Sequence, residues 1–254
     1  MRIAITREVS EAIVDCELTH LERVPIDVQL TRQQHQDYEA CLVSHGCTVQ
    51  RLPAGPDMPD SVFVEDIAVV LDEVAVIARP GAHKRWLETP AVAAALEPYR
   101  RVLRIGPPGT LDGGDVLQIG RRLFVGRSSR TNASGIQQLR RLLKPFGYSV
   151  EGVLIQGCLH LKSAVTLVAE DTLLINPNWV KPGLFDYRRI IEVHPAEQQA
   201  GNALWIGETV IYPNAFPATQ ARLEKARIRT ITLDVSEIAK AEGGVTCCSL
   251  IFDG

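Results

Sequence analysis

The chain has 254 residues, 46% of them hydrophobic and 22% charged, with a net charge of −3. Such a composition belongs to a globular protein with enough apolar material for a real core, read here as a single domain over 1–254, and it excludes disordered and fibrous chains. Lys and Arg are dispersed without a basic block and no apolar run approaches 18 residues, so neither nucleic acid nor a membrane is expected as a partner.

The first element is a strand over 2–6, in a start (Met1-Arg2-Ile3-Ala4-Ile5-Thr6-Arg7-Glu8) too interrupted by charge to be a signal peptide. Leu30, His35, Tyr38, Leu42 and Val43 then recur at helical intervals, predicting an amphipathic helix over 29–46 that Gly46 stops. At Asp66 a hairpin pattern begins: the apolar run 66–71, a polar turn at Asp72-Glu73, and a second run over 74–77. The same plan returns at 115–125 and again at 164–175, each 49 residues further on, and a fourth copy follows Asn202 over 203–212. Helical intervals fall between the hairpins: a short helix over 91–96, one opened by Thr131-Asn132 that runs to Gly147, and another over 217–226. A last strand is expected over 248–252.

Each unit is therefore a hairpin, a helix and one further strand. Such a unit cannot bury both faces alone, and units of this size stack or close around an axis. The leftover first and last strands complete one more unit together, which predicts an α/β fold: a five-bladed α/β propeller of ββαβ repeats.

The repeat also organises the polar residues. Asp66 and Asp115 hold the same place before the first hairpin strand in successive units, with Glu65, Asp112 and His160 one to four residues upstream of it. Cys247, after Gly243-Gly244 and just before the last strand, holds a comparable place in the shared unit. A closed ring would bring all of them to one mouth, and a thiol, an imidazole and several carboxylates gathered there make a catalytic constellation. Singly they read otherwise: a free cysteine is usually a small buried hydrophobe, Glu65-Asp66 and Asp112-Gly113-Gly114-Asp115 serve as turns, and a histidine between leucines as a core residue. That bland reading is preferred for Cys248. The six cysteines, at 16, 41, 47, 158, 247 and 248, show no CxxC pair and no metal-ligand spacing, so free thiols in the cytoplasm are expected.

The motifs Asp60-Ser61-Val62-Phe63-Val64-Glu65-Asp66, Thr110-Leu111-Asp112-Gly113-Gly114-Asp115-Val116, Ser129-Arg130-Thr131-Asn132, Leu159-His160-Leu161-Lys162-Ser163 and Thr246-Cys247-Cys248-Ser249 resemble those of the dimethylarginine dimethylaminohydrolases, in the family's order. These belong to the guanidino-group modifying enzymes, whose pentein fold is a five-bladed α/β propeller. The resemblance implies hydrolysis of Nω-methylated arginines to citrulline and an amine, with Cys247 as nucleophile, His160 as proton carrier and Asp112 orienting the histidine. It implies that Glu65, Asp66 and Asp115 clamp the guanidinium and that Arg85 and Arg130 hold the α-carboxylate. Asp60, with backbone carbonyls near Leu18 and Ala241, would receive the α-ammonium, and the Leu18 region would serve as a lid. Neither a metal nor a cofactor is expected, and a homodimer stays open. Two local departures are visible: Trp86 stands where a second basic residue is expected, and Ala241 replaces a bulkier apolar residue. An arginine deiminase, a hydrolase of another substituted guanidine, or a non-catalytic arginine-binding or thiol sensor protein are the alternatives.

Overall fold

The structure, a computed structural model, describes residues 1–254. In chain order the first segment comprises β1 (Arg2–Arg7), α1 (Val28–Ser44) and β2 (Cys47–Leu52). A second holds β3 (Ala68–Val70), β4 (Val74–Ile77), α2 (Thr89–Leu96) and β5 (Arg101–Arg104), and a third β6 (Val116–Ile119), β7 (Arg122–Arg127), α3 (Ala133–Leu143) and β8 (Ser149–Leu154). The fourth has α4 (Leu161–Ala164), β9 (Val165–Ala169), β10 (Thr172–Ile175) and β11 (Arg189–Glu192). The fifth has β12 (Leu204–Ile206), β13 (Thr209–Pro213), α5 (Pro217–Lys225) and β14 (Arg229–Leu233), and α6 (Ser236–Lys240) and β15 (Leu250–Asp253) close the chain.

Five separate three-stranded sheets result, β15-β1-β2, β3-β4-β5, β6-β7-β8, β9-β10-β11 and β12-β13-β14. In every one the first two strands are antiparallel and the last two parallel. A parallel pair needs a crossover, which is why a helix or long loop sits between the second and third strand of each unit. The middle strands β4, β10 and β13 are buried at every position, as strands covered on both faces must be, and their runs of Val, Ile and Leu answer to that burial.

The apolar core is divided at the joints. Its five clusters each span two neighbouring units: Ile5 and Phe252 with Ile77, Val76 with Leu123, Phe124 with Leu173, Leu174 with Val210, and Ile211 with Leu42 and Ala4. The fifth joint returns to the unit that contains both termini, so the ring is closed, and the five-bladed α/β propeller expected from the repeat is the fold. No helix is long and apolar enough to cross a membrane.

Local signals operate as the residues suggest. Asp27 caps α1 by accepting from Gln29 N and Leu30 N, Asn132 caps α3 by accepting from Gly135 N, and Gly147 takes φ +78° after the helical turn that follows α3. Three expectations need correction. The fourth unit has no crossover helix, only a 3₁₀ turn at Pro182–Leu184, because proline and glycine interrupt that stretch. The first hairpin strand starts at Ala68, since Val64–Ile67 form a 3₁₀ turn. The last strand starts at Leu250, leaving Cys247 and Cys248 in the turn before it.

Candidate active site

The segments that lead into the first strand of each sheet gather at one end of the ring. Glu65 and Asp66 come from the turn before β3, Asp112 and Asp115 from the turn before β6, His160 from the N-cap of α4, and Cys247 from the loop before β15. A small space of about 20 Å³ is lined by Asp60, Asp66, Asp112, His160 and Cys247, with Arg85 and Arg130 at the same wall. The ring thus brings together residues from Glu17 to Cys247, near the two ends of the chain.

His160 is held between two carboxylates. Its Nε2 lies 3.1 Å from Oδ2 of Asp112 and its Nδ1 3.6 Å from Oδ1 of Asp66. Asp112 is itself fixed: Oδ1 accepts from Gly81 N at 2.9 Å and its backbone N donates to Thr131 Oγ1 at 3.0 Å. Burial alone would lower the His160 pKa; Asp66, Asp112 and Asp115 overcome it and raise it to about 9. The resting imidazole is therefore the cation, a ready proton donor. Asp66 accepts from Gly114 N at 3.0 Å and from Arg85 Nη1 at 2.6 Å. Burial works against its charge, but His160 and Arg85 hold the carboxyl below its usual range. Gly114 makes this approach feasible, since a Cβ there would lie 2.6 Å from Asp66 Oδ1 and 2.7 Å from His160 Nδ1.

Cys247 is half-buried and free. Gly244 N donates toward its Sγ at 3.3 Å, yet burial, with Glu65 and Asp66 nearby, pushes the thiol up to about 12. Lys162 offsets this only in part, so the thiol rests protonated. Its loop is tied down from two sides. Glu65 N donates to Cys247 O at 3.1 Å, and Asn202 receives Thr246 N at 3.1 Å while donating to Thr246 Oγ1 at 3.0 Å.

Three of the residues expected at the substrate have protein partners in this structure. Both Glu65 oxygens are engaged, by Lys162 Nζ at 2.5 Å and by Thr246 Oγ1 at 2.8 Å, and the carboxylate with its lysine faces a larger cavity of about 520 Å³ along the ring axis. Glu65 thus acts on Cys247 through the loop and through its charge. Asp115 is wholly buried off the pocket wall, accepting from Ser128 Oγ at 2.6 Å and Leu161 N at 3.0 Å; burial raises it to about 6. Arg85 does reach the pocket, but its guanidinium is committed to Asp66, Glu88 and the carbonyls of Asp60 and Phe63. Arg130, by contrast, has no ion pair and a single long bond, 3.3 Å, from Nη2 to Thr19 Oγ1.

At the outer end, Asp60 is buried and accepts from Glu17 N at 3.2 Å, and burial raises its pKa. Ala241 is buried on the same wall, while the Leu18 side chain packs on the core cluster next to it. Beyond Cys247 opens a second cavity, about 230 Å³ and largely apolar, with Leu159, Trp179, Phe216 and Ala239 on its walls. Sequence reasoning had not assigned functions to Asn202, Lys162, Ser128 or Glu88. Asn202 carried the clearest signal, since it occupies the same place before β12 that Asp66 occupies before β3.

Asp66, Asp112 and His160 offer donor atoms within 4.8 Å of one another. Their pairing explains the closeness: Asp66 is already matched by Arg85 and His160 by Asp112.

The family model for arginine deiminase matches residues 56–202. An N(G),N(G)-dimethylarginine dimethylaminohydrolase of Streptomyces coelicolor is 39% identical over 255 residues, 97% of this chain and 95% of that protein. One from Pseudomonas aeruginosa is 34% identical over 98% of both chains. The solved structure of the Pseudomonas aeruginosa enzyme, a cysteine-to-serine variant complexed with citrulline, superposes with a TM-score of 0.93 at 33% identity over 98% of each chain. The chain belongs to the arginine deiminase family and, within it, to the dimethylarginine dimethylaminohydrolases.

Proposed function

We propose that the protein hydrolyses Nω-methylated L-arginines to L-citrulline and methylamine or dimethylamine through a covalent adduct on Cys247. The observation that carries this is the sharing of one pocket wall by the Cys247 thiol, His160 backed by Asp112, and Asp66; the shifts of His160 and Asp66 favour their charged forms and that of Cys247 its neutral one.

A guanidinium carbon is a poor electrophile because resonance spreads its charge. Asp66 holds that charge in place, and the bound cation lowers the thiol pKa until the proton departs to solvent. The thiolate then attacks the guanidinium carbon to form the C–S bond. His160 gives its proton to the substituted nitrogen of the tetrahedral adduct, the C–N bond breaks, and the amine leaves, with an S-alkylthiouronium remaining on Cys247. The neutral imidazole takes a proton from water, whose hydroxide attacks the same carbon. Collapse breaks the C–S bond, the proton left on the attacking oxygen passes to solvent, and the thiolate and the ureido product are released. Asp112 orients the ring and favours its charged form throughout.

Arg130 is the cation available for the α-carboxylate, and Asp60 with the backbone at Ala241 receives the α-ammonium. Arg85 fixes Asp66 and the Asp60–Phe63 turn. The apolar cavity beyond Cys247 favours a methylated over a plain guanidine, since methyl groups need an apolar wall. All six thiols are free, which fits the reducing cytoplasm.

The test is ureido-product formation by wild type and Cys247→Ser with asymmetric dimethylarginine, monomethylarginine and arginine side by side. Turnover of the methylated substrates that disappears in the variant supports the assignment; turnover of arginine alone replaces it with a deiminase.

A further inference from the structure

Most of the backbone hydrogen bonds that hold segment 17–21 over the site go to one carboxylate. The backbone N–H groups of three consecutive residues converge on Glu242: Thr19 N lies 3.1 Å from both oxygens, and His20 N and Leu21 N lie 2.5 and 2.6 Å from Oε1. Successive N–H groups curled around an anion form a nest. Glu242 is also held at its own end. It follows α6 with φ +58°, a left-handed conformation unusual for glutamate, and its N donates to Ala239 O at 3.1 Å while Gly243 N donates to Ile238 O at 3.1 Å. Gly243 leaves no room for a side chain, since a Cβ there would meet Phe63 Cε1 at 2.4 Å.

The rest of the segment's attachment is slight. Glu17 pairs with Lys84 at 3.0 Å on the surface and its N reaches Asp60 at 3.2 Å, while Thr19 takes the long bond from Arg130. Asp60 and Arg130 are the groups that the substrate's amino-acid end would engage, so those fastenings exchange partners on binding and Glu242 does not. Glu242 and Gly243 line both the polar pocket and the apolar cavity, so the latch point is the wall between them and leads, through Gly244, to Cys247.

We propose that Glu242 is the latch of segment 17–21. Its carboxylate holds the segment closed over Cys247 during turnover, and its release admits substrate and frees product. It is a positioning residue that acts through the segment, and the proposal rests on the assigned reaction only in taking Cys247 as the covered group.

The experiment compares wild type with Glu242→Gln, Glu242→Ala and Glu242→Asp. Removing the acceptor altogether is expected to raise hydrogen exchange of the peptide spanning 17–23 about tenfold in the Ala variant, and alkylation of Cys247 by iodoacetamide by about as much, with a smaller rise in Gln, whose amide oxygen still accepts but carries no charge. KM for asymmetric dimethylarginine should rise more than kcat falls, and Asp should restore most of each change. Unchanged exchange and unchanged alkylation in folded Gln and Ala variants would overturn the latch, as would exchange rising evenly in all five blades. Because both readouts need no substrate, failure to turn over methylarginines would count against the assigned reaction and leave the latch standing.

Discussion

His160 Nε2 stands 3.1 Å from Oδ2 of the fully buried Asp112, and this bond, together with the charge of Asp66, favours the imidazolium on which the proposed chemistry depends. In Asp112→Asn the amide still accepts from Gly81 N, but it no longer favours an imidazolium. The His160 pKa should fall from about 9 toward its ordinary 6.5, followed by NMR of the ring protons. kcat should fall by about 10² to 10⁴, the usual worth of general acid–base catalysis. An unchanged titration would remove Asp112 from its role.

The same shift fixes a pH dependence. His160 binds its proton more tightly folded than unfolded, so its contribution to stability is complete below about 6.5 and is lost as pH rises through about 9. In pH-resolved denaturant melts the advantage of wild type over Asp112→Asn should shrink across that window. On the assigned mechanism kcat/KM should decline over its upper part, as the acid that protonates the leaving amine disappears.

With Cys247 pushed up to about 12, the resting thiol should be almost unreactive toward neutral reagents near pH 7.5. A haloacetamidine brings a cation of its own up to the thiol. It should label Cys247 at least about tenfold faster than iodoacetamide, since a nearby opposite charge moves a pKa by one to three units. Equal rates would favour a sensor thiol. A thiolate absorbance step between pH 6 and 8 in the free protein would contradict the resting state described here.

Gly114→Ala tests how tightly the histidine and its anion are packed. The new Cβ would lie under 3 Å from both Asp66 Oδ1 and His160 Nδ1, so one of them must move. Displacements of about 1 Å in a catalytic group cost around 10²-fold in rate. kcat should fall by that order, while thermal unfolding shows the blades intact. Retained activity would mean that the His160–Asp66 approach is not needed.

Much of this arrangement was legible before any coordinates, because the repeat is a geometric statement. Hairpins at near-constant spacing place Asp66, Asp112, His160 and Cys247 in equivalent segments, within a few residues of each first strand, and closing the ring brings those segments to one end. What spacing does not carry is the direction of a side chain within a 3₁₀ turn. Asp115 and Asp112 flank the same two glycines, yet Asp115 turns inward to Ser128 and Leu161 N while Asp112 faces His160. Glu65 and Asp66 are adjacent and diverge likewise, one toward Lys162 and one toward Arg85. The fourth blade's missing helix has a local cause in Pro182 and Gly183, which the repeat overrode. The latch at Glu242 lies outside the repeated unit altogether.

The two arginines expected to hold a carboxylate should separate cleanly when removed. Arg85 is buried with Asp66 and Glu88 at 2.6 and 2.9 Å, and Glu88, whose pKa burial already raises, loses its compensating cation in Arg85→Ala. Breaking a buried pair from one side costs about 3–5 kcal/mol, so Arg85→Ala should lower Tm sharply and lose activity through the fold and through Asp66. Arg130→Met removes a cation without an ion-pair partner and should leave Tm almost unmoved. Its effect should fall on KM, raised about 10- to 100-fold by loss of a charge-assisted bond of about 1.5–3 kcal/mol. A methylated guanidine lacking the α-carboxylate supplies the control: wild type and Arg130→Met should process it equally, because the group that Arg130 recognises is already gone. If Arg130→Met discriminated against that substrate as well, Arg130 would be holding the segment at Thr19 and not the carboxylate.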